Sequence, residues 1–419
     1  MPTLPHQTRI NELIEILNRN EISLKDLREY CFKGIPDEQS HRAICWRILL
    51  NFLPLDRSLW DAFLIKERKV YADLVDDLII DPSQVNNHTF NNNNGDSSMS
   101  GSSAAEHTKQ DDHPLSLNPD SNWSTYFRDN ETLAQIDKDV RRLCPEISFF
   151  QQPTPYPCRA IVDRRVQPLS QRVARNILES ETVTRTKGGA TKYSTKHSIE
   201  EYKSLPEGQE AHWEVVERIL FIYSKLNPGV KYVQGMNEIL GPIYYVFASD
   251  SHEEWRKHAE ADAFFCFQNI MSEIKDYFIK TLDSSMCGIE RAMNQLYELL
   301  ASRDPKLHRY LTVDCDILPQ YYAFRWISLL LSQEFPLPDV IRIWDSFFSD
   351  LNRFEFLLYM CVAMLISKRD EILTSDFTSI MKLLQNYSIS DVGDVLSQAA
   401  QIYETKRLAE QCKLSSKIQ

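Results

Sequence analysis

Residues 211–229 read AHWEVVERILFIYSKLNPG, and this stretch decides the fold class. Trp213, Val216, Leu220 and Tyr223 recur in the i, i+3, i+7 rhythm of one face of an α-helix. The rhythm stops at Asn227-Pro228-Gly229, where proline and glycine together end a helix. The same amphipathic pattern returns at 57–80, 130–143, 260–280, 320–333, 338–348, 354–368, 375–386 and 390–410, and convincing period-2 alternation is absent. An all-α fold is expected. No repeat of fixed period emerges, which disfavours a solenoid.

Composition narrows the function classes. The 419 residues, 43% of them hydrophobic, suffice for one large core or two modest ones. Only 11 glycines and 19 prolines are present, too few for an architecture of many tight hairpins. A net charge of -12 argues against a nucleic-acid binder, which needs a basic face, and favours protein partners. The nine cysteines form no C-x-x-C pair, so no metal site is expected, and reduced thiols serving as small core residues are. The longest apolar run, FLLYMCVAMLI at 356–366, is shorter than the roughly 20 residues of a membrane span and reads as a buried helix. The start, MPTLPHQTRINEL, lacks an apolar signal region and has Pro2 where myristoylation needs glycine. The end, SSKIQ, offers no cysteine for prenylation. A cytoplasmic chain is expected, its membrane contact peripheral or indirect. The Asn- and Ser-rich segment at about 83–122 reads as a disordered insertion, and the polar stretch at about 164–209 as a long mobile loop.

Three short segments hold the chemistry-bearing residues. In QIDKDVRRLCPE, Ile136, Val140 and Leu143 share one helix face, while Asp139 and Arg142 stand i, i+3 apart, close enough for the carboxylate to orient the guanidinium. Pro145 stops the helix, placing Arg142 near its exposed end, with Arg141 a solvated or phosphate-side neighbour. Alone, the pattern favours a surface arginine paired along a helix. The second segment, KYVQGMNEILGPIYYVF, enters after the Asn227-Pro228-Gly229 stop. That puts Tyr232 and Gln234 on a loop or helix start, with Gly235 permitting an unusual turn and Asn237 available as a helix cap. A structural loop explains it equally well. In the third, SQEFPLPDVIRIWDSFF, Val340, Ile343, Trp344 and Phe347 make an apolar stripe. Arg342 and Asp345 there read as braces between helices, and Pro338 and Asp339 suit the first turn.

Taken in order, these blocks resemble the TBC domain of Rab GTPase-activating proteins. Ile136, Asp139 and Arg142 match I-x-x-D-x-x-R, Tyr232 to Asn237 match Y-x-Q-G-M-N, and EFPLPDVIRIWD matches the third signature. Upstream, KGIPDEQSHRAICWRILLNFLP resembles the domain's opening, with Gly34-Ile35-Pro36 and Arg42 to Trp46. The resemblance spans about 32–352, and is to a compact type without an added targeting domain. Leu143 stands where the family usually has Thr or Ser, and the interval between the first two blocks is longer than typical.

The resemblance implies a TBC-domain helical fold, two helical lobes forming one elongated domain. It would comprise an N-terminal helical extension at 1–31, the domain at 32–352 and continuing helices at 353–419. It also implies a GTPase activator for a GTP-bound Rab, regulating vesicle trafficking, not a self-sufficient enzyme. Arg142 and Gln234 are the implied catalytic pair, with Asp139, Tyr232, Gly235 and Asn237 in support and Arg342, Trp344 and Asp345 as a structural motif. No cofactor of its own is implied, because GTP and Mg arrive on the GTPase. A non-catalytic Rab-binding scaffold of the same fold is the alternative. No Ser-His-Asp or phosphate-loop signature suggests an independent hydrolase.

Overall fold

The structure, a computed structural model, describes residues 4–79, 122–163, 168–174, 205–206, 208–278, 288–388 and 391–415. The segment expected to be disordered at 83–122 and most of the loop expected at 164–209 lie outside these residues. Among the described residues the fold is all-α: two isolated bridges, Glu21 with Asp56 and Pro153 with Ala211, are the whole of the β structure. The chain divides into two compact units, Met1–Arg68 with Glu238–Gln419, and Lys69–Asn237.

The first unit assembles around the helix Leu337–Ser349, which opens with Pro338 in its first turn as the sequence suggests. Its stripe of Val340, Ile343, Trp344 and Phe347 is buried, and the helix packs against Leu24–Cys31 and His41–Leu49. The contact is largely aromatic: Trp46 lies 4.9 Å from Phe348 and 6.2 Å from Trp344, between ring centroids. A buried carboxylate ties the unit together. Asp345 accepts from the Ile35 N–H at 2.9 Å, from Trp46 Nε1 at 2.8 Å and from Arg42 Nε at 3.1 Å. Burial pushes the Asp345 carboxyl upward, and Arg42 chiefly opposes that push. The bracing expected of the third segment is therefore done by Asp345, across some 300 residues of sequence. Arg342 instead donates to Ser346 on its own helix at 3.0 Å. It also crowds Gly34, whose φ of +94° suits only glycine and whose added Cβ would lie 2.6 Å from Arg342 Nε.

The apolar run at 356–366 is the helix Glu355–Ser367, buried on all sides from Phe356 to Leu365 and packed against Val392–Ser415. Among the described residues no helix is long and apolar enough to cross a membrane. A second ionic core surrounds Arg47, which is fully buried. Its guanidinium meets Asp262 at 2.8 Å and lies 4.1 Å and 4.8 Å from the ring centres of Phe247 and Trp255. Cys31, Cys45, Cys266 and Cys361 are buried, as expected of small core residues, while Cys144, Cys158 and Cys315 are half-buried.

One expected helix is broken. In place of 320–333 stand the short turn Pro319–Tyr321 and the helix Ala323–Ser328. The chain then turns through left-handed Leu330 and Leu331, at φ 51° and 63°. The freed Leu330 carbonyl accepts from Trp344 Nε1 at 2.9 Å, a long-range partner that helical periodicity does not reveal.

The second unit pairs Asn122–Val140 with His212–Leu226. Leu133, Ile136 and Val140 on the first and Val216, Ile219 and Leu220 on the second are all buried where the two helices pack. Arg172 caps one side, its guanidinium 3.6 Å from the Tyr126 ring centre and bonded to the Tyr126 carbonyl.

Candidate functional site

The helix Asn122–Val140 ends before Arg142, not after it. Backbone bonds tighten at once: the N–H groups of Arg142 and Leu143 reach the carbonyls only three residues back, Asp139 and Val140, each at 3.2 Å. Cys144, at φ 43°, then reverses the chain, so the stop precedes Pro145. Leu143 is buried with Ile136 and Val140, which accounts for an apolar residue where a Thr or Ser is usual. Arg142 is exposed on this turn.

The second loop follows from the end of the partner helix. Asn227 caps it by donating from Nδ2 to the Tyr223 carbonyl at 2.9 Å, and the Lys231 N–H returns to the Asn227 carbonyl at 2.7 Å. Lys231, at φ 60°, and Gly235, at φ 100°, bracket Tyr232-Val233-Gln234 and throw Gln234 outward. Gly235 fits because its φ costs an L-residue strain. The helix Met236–Ala248 begins directly behind it.

One residue joins the two segments. The Tyr232 hydroxyl donates to the Asp139 carboxylate at 2.7 Å and lies 3.3 Å from Asn237 Oδ1. Asn237 Nδ2 in turn donates to the Asp139 carbonyl at 3.4 Å. Thus Asp139, Tyr232, Gly235 and Asn237 come together beneath Arg142 and Gln234. Both tips are exposed, and among the described residues neither side chain makes a hydrogen bond or ion pair. All six residues belong to the Lys69–Asn237 unit. Arg342, Trp344 and Asp345 belong to the other unit and are structural there.

Three expectations are corrected. Asp139 does not orient the Arg142 guanidinium: a phenol 93 residues away takes its carboxylate. Asn237 is not a cap ahead of its helix but the second residue within it, its amide turned to Asp139. Arg141 is not solvated. Its Nε donates to the buried Asp137 carboxylate at 2.8 Å, and its guanidinium carbon lies 4.2 Å from the Trp213 ring centre. Gln151 Nε2 meanwhile donates to the Arg141 carbonyl at 3.2 Å.

Glu217 is buried in the same layer, one turn after Trp213. Burial, and then the neighbouring Asp137 charge, push its carboxyl well above the usual range. Burial also raises Asp137, with Arg141 opposing. After Arg141, the Glu217 side chain also favours the Asp137 carboxylate. These groups were legible in part. Asp137 and Arg141 are an i, i+4 pair, and Glu217 interrupts the apolar face of Trp213 and Leu220. Nearby, His212 stacks on Phe149 at 4.1 Å, and burial pulls its imidazole down to about 4.

The arrangement presents a permanent cation and a neutral amide, both exposed, on turns cross-braced through Asp139, Tyr232 and Asn237. Among the described residues no cluster of His, Cys, Asp or Glu is able to hold a metal ion. Such a pair can stabilise charge and orient a water on a phosphate supplied from outside.

Comparison with known proteins gives a consistent picture. A family profile described as RabGAP-TBC, Rab-GTPase-TBC domain, matches residues 195–373, a span that includes Gln234 and begins beyond Arg142. The chain is 51% identical to TBC1 domain family member 13 of Homo sapiens, over 96% of this chain and 99% of that protein. It is 36% identical to a TBC domain-containing protein of Schizosaccharomyces pombe, over 97% of this chain and 74% of the other. Among solved structures, the Ypt/Rab-GAP domain of Gyp1p superposes with a TM-score of 0.63 over 96% of this chain and 99% of that one. At 21% identity that likeness is one of fold, and it agrees with the all-α architecture described above.

Proposed function

Because the chain belongs to the TBC-domain family of Rab GTPase-activating proteins, we propose that it accelerates GTP hydrolysis by a Rab-class GTPase, inserting Arg142 and Gln234 into the partner's nucleotide site. Membership supports Rab GTPase activation in general; the division of labour between residues is our reading. The observation carrying it is the Tyr232–Asp139 bond at 2.7 Å, which holds the Arg142 turn and the Gln234 loop together while both tips remain exposed.

The chemistry suits those two side chains. Charge grows on the phosphate and bridging oxygens as the γ-phosphoryl group departs. A planar, permanently charged guanidinium matches that spread where an ammonium supplies only a point charge. In the Ras system an arginine supplied in trans is worth about 10³–10⁵ in rate, or roughly 4–7 kcal/mol. The Gln234 amide, able to accept from the attacking water and donate to the phosphate, places the nucleophile in line. GTP and Mg come with the partner. The activity would place the protein in the cytoplasm, on membranes carrying its GTPase, as a regulator of vesicle trafficking.

The test is single-turnover GTP hydrolysis over a panel of Rab proteins with wild type, Arg142→Ala and Gln234→Ala. Stimulation by wild type that drops at least about a hundredfold in either variant supports the pair. Full stimulation by both variants refutes it, and binding without stimulation by wild type identifies a scaffold. Aluminium fluoride with GDP should trap a complex with wild type and fail with Arg142→Lys.

A further inference from the structure

Two residues flank Arg142 in sequence, and both are anchored inward. Leu143 is 1% exposed among Ile136 and Val140. Arg141 is held on three sides: its Nε on Asp137 at 2.8 Å, its guanidinium plane over Trp213 at 4.2 Å, its carbonyl by Gln151 Nε2 at 3.2 Å. Asp137 itself is fully buried on the helix Asn122–Val140, and Trp213 stands on the first turn of His212–Leu226. The clamp therefore fixes the turn to both of these helices. A tight turn whose first and third residues face the core must direct its middle residue away from it. That middle residue is Arg142.

We propose that Arg141 is a positioning residue for Arg142, setting the direction in which the catalytic guanidinium leaves the turn. The assignment rests on the reading of Arg142 as the catalytic arginine. Its carbonyl and guanidinium are both engaged, so Arg141 makes its contribution from behind the site and not by touching nucleotide. Lysine at this position keeps the charge on Asp137 but loses the planar stack on Trp213 and the directed Nε bond. Displacement of a reacting group by about 1 Å costs on the order of a hundredfold in rate. Arg141→Ala should therefore lower the maximal stimulated rate about 10- to 100-fold at a nearly unchanged half-saturating concentration of activator. Arg141→Lys should fall between alanine and wild type.

The decisive measurement is a cycle in single-turnover hydrolysis: wild type, Arg141→Ala, Arg142→Ala and the double variant. If Arg141 acts through Arg142, its removal on the Arg142→Ala background changes the residual rate less than about twofold. A further full loss on that background overturns the proposal, as does an Arg141→Ala effect confined to half-saturation, which would mark a partner contact. Arg142→Ala alone, if it retains full stimulation, refutes the reading of the site and not the clamp. Should the alanine variant fail to fold, Arg141→Lys carries the same cycle, since its stack is lost while its ion pair persists.

Discussion

Replacing Tyr232 by phenylalanine removes one oxygen from the centre of the site and leaves the ring in place. That oxygen donates to the Asp139 carboxylate at 2.7 Å, and Tyr232 is 6% exposed. A hydrogen bond to a charged acceptor is worth about 1.5–3 kcal/mol. Asp139 is only half-buried, so water recovers part of its loss and the lower end applies, about 1.5–2 kcal/mol. The bond joins the last turn of the helix Asn122–Val140 to the loop ahead of Met236–Ala248, and helix ends and loops can shift locally without global unfolding. The loss is therefore expected as lost register between Arg142 and Gln234, a fall of about 10- to 30-fold in kcat/KM for stimulated hydrolysis. A double-mutant cycle with Asp139→Ala isolates the bond. Once the carboxylate is gone, the phenylalanine substitution should add almost nothing. If the two substitutions instead add to within about 0.5 kcal/mol, the hydroxyl and carboxylate do not cooperate and the argument fails.

Other consequences follow from the buried polar groups. Asp345→Ala strands the Arg42 guanidinium, the Trp46 indole N–H and the Ile35 N–H, and should cost about 3–5 kcal/mol, read as a lowered urea midpoint. A near-unchanged midpoint would show the cluster to be dispensable. Glu217 has its folded-state pKa raised, so its stabilising contribution is present at low pH and lost as pH rises through that value. Glu217→Gln should thus gain stability relative to wild type as pH rises above the ordinary carboxyl range; parallel pH curves would refute a raised Glu217. His212 runs the opposite way: its imidazole is pulled down to about 4 by burial. Between its unfolded value and that point, falling pH favours the unfolded chain by up to about 3 kcal/mol. His212→Phe, which keeps the stack on Phe149, should remove that share of the acid sensitivity in chemical-denaturation curves at pH 7 and pH 4.

Much of the molecule is written locally. The rhythm of Trp213, Val216, Leu220 and Tyr223 specifies a helix because side chains i, i+3 and i+7 share a face whatever lies opposite. The stop at Asn227-Pro228-Gly229, the burial of Ile136, Val140 and Leu143, and the enclosed helix at 356–366 follow from the same short-range rules. The ordered blocks likewise single out Arg142 over Arg141 and pair it with Gln234. Local rules failed where a residue's partner lay far along the chain. Spacing pairs Asp139 with the arginine three positions on, but its carboxylate goes to Tyr232. The motif register leaves Arg141 to solvent, but Asp137 and Trp213 hold it.

The sequence by itself therefore determined the helical class and the family; its motifs name Arg142 and Gln234 as the candidate pair. Only the tertiary structure decided what holds together the two segments that carry them. A buried carboxylate or guanidinium is costly unless paired, so each takes the partner that folding brings within reach once water is excluded. Spacing along one helix carries no record of that choice. For Asp345 it fell on Arg42, Trp46 and Ile35, and for Asp139 on a phenol delivered by the neighbouring loop.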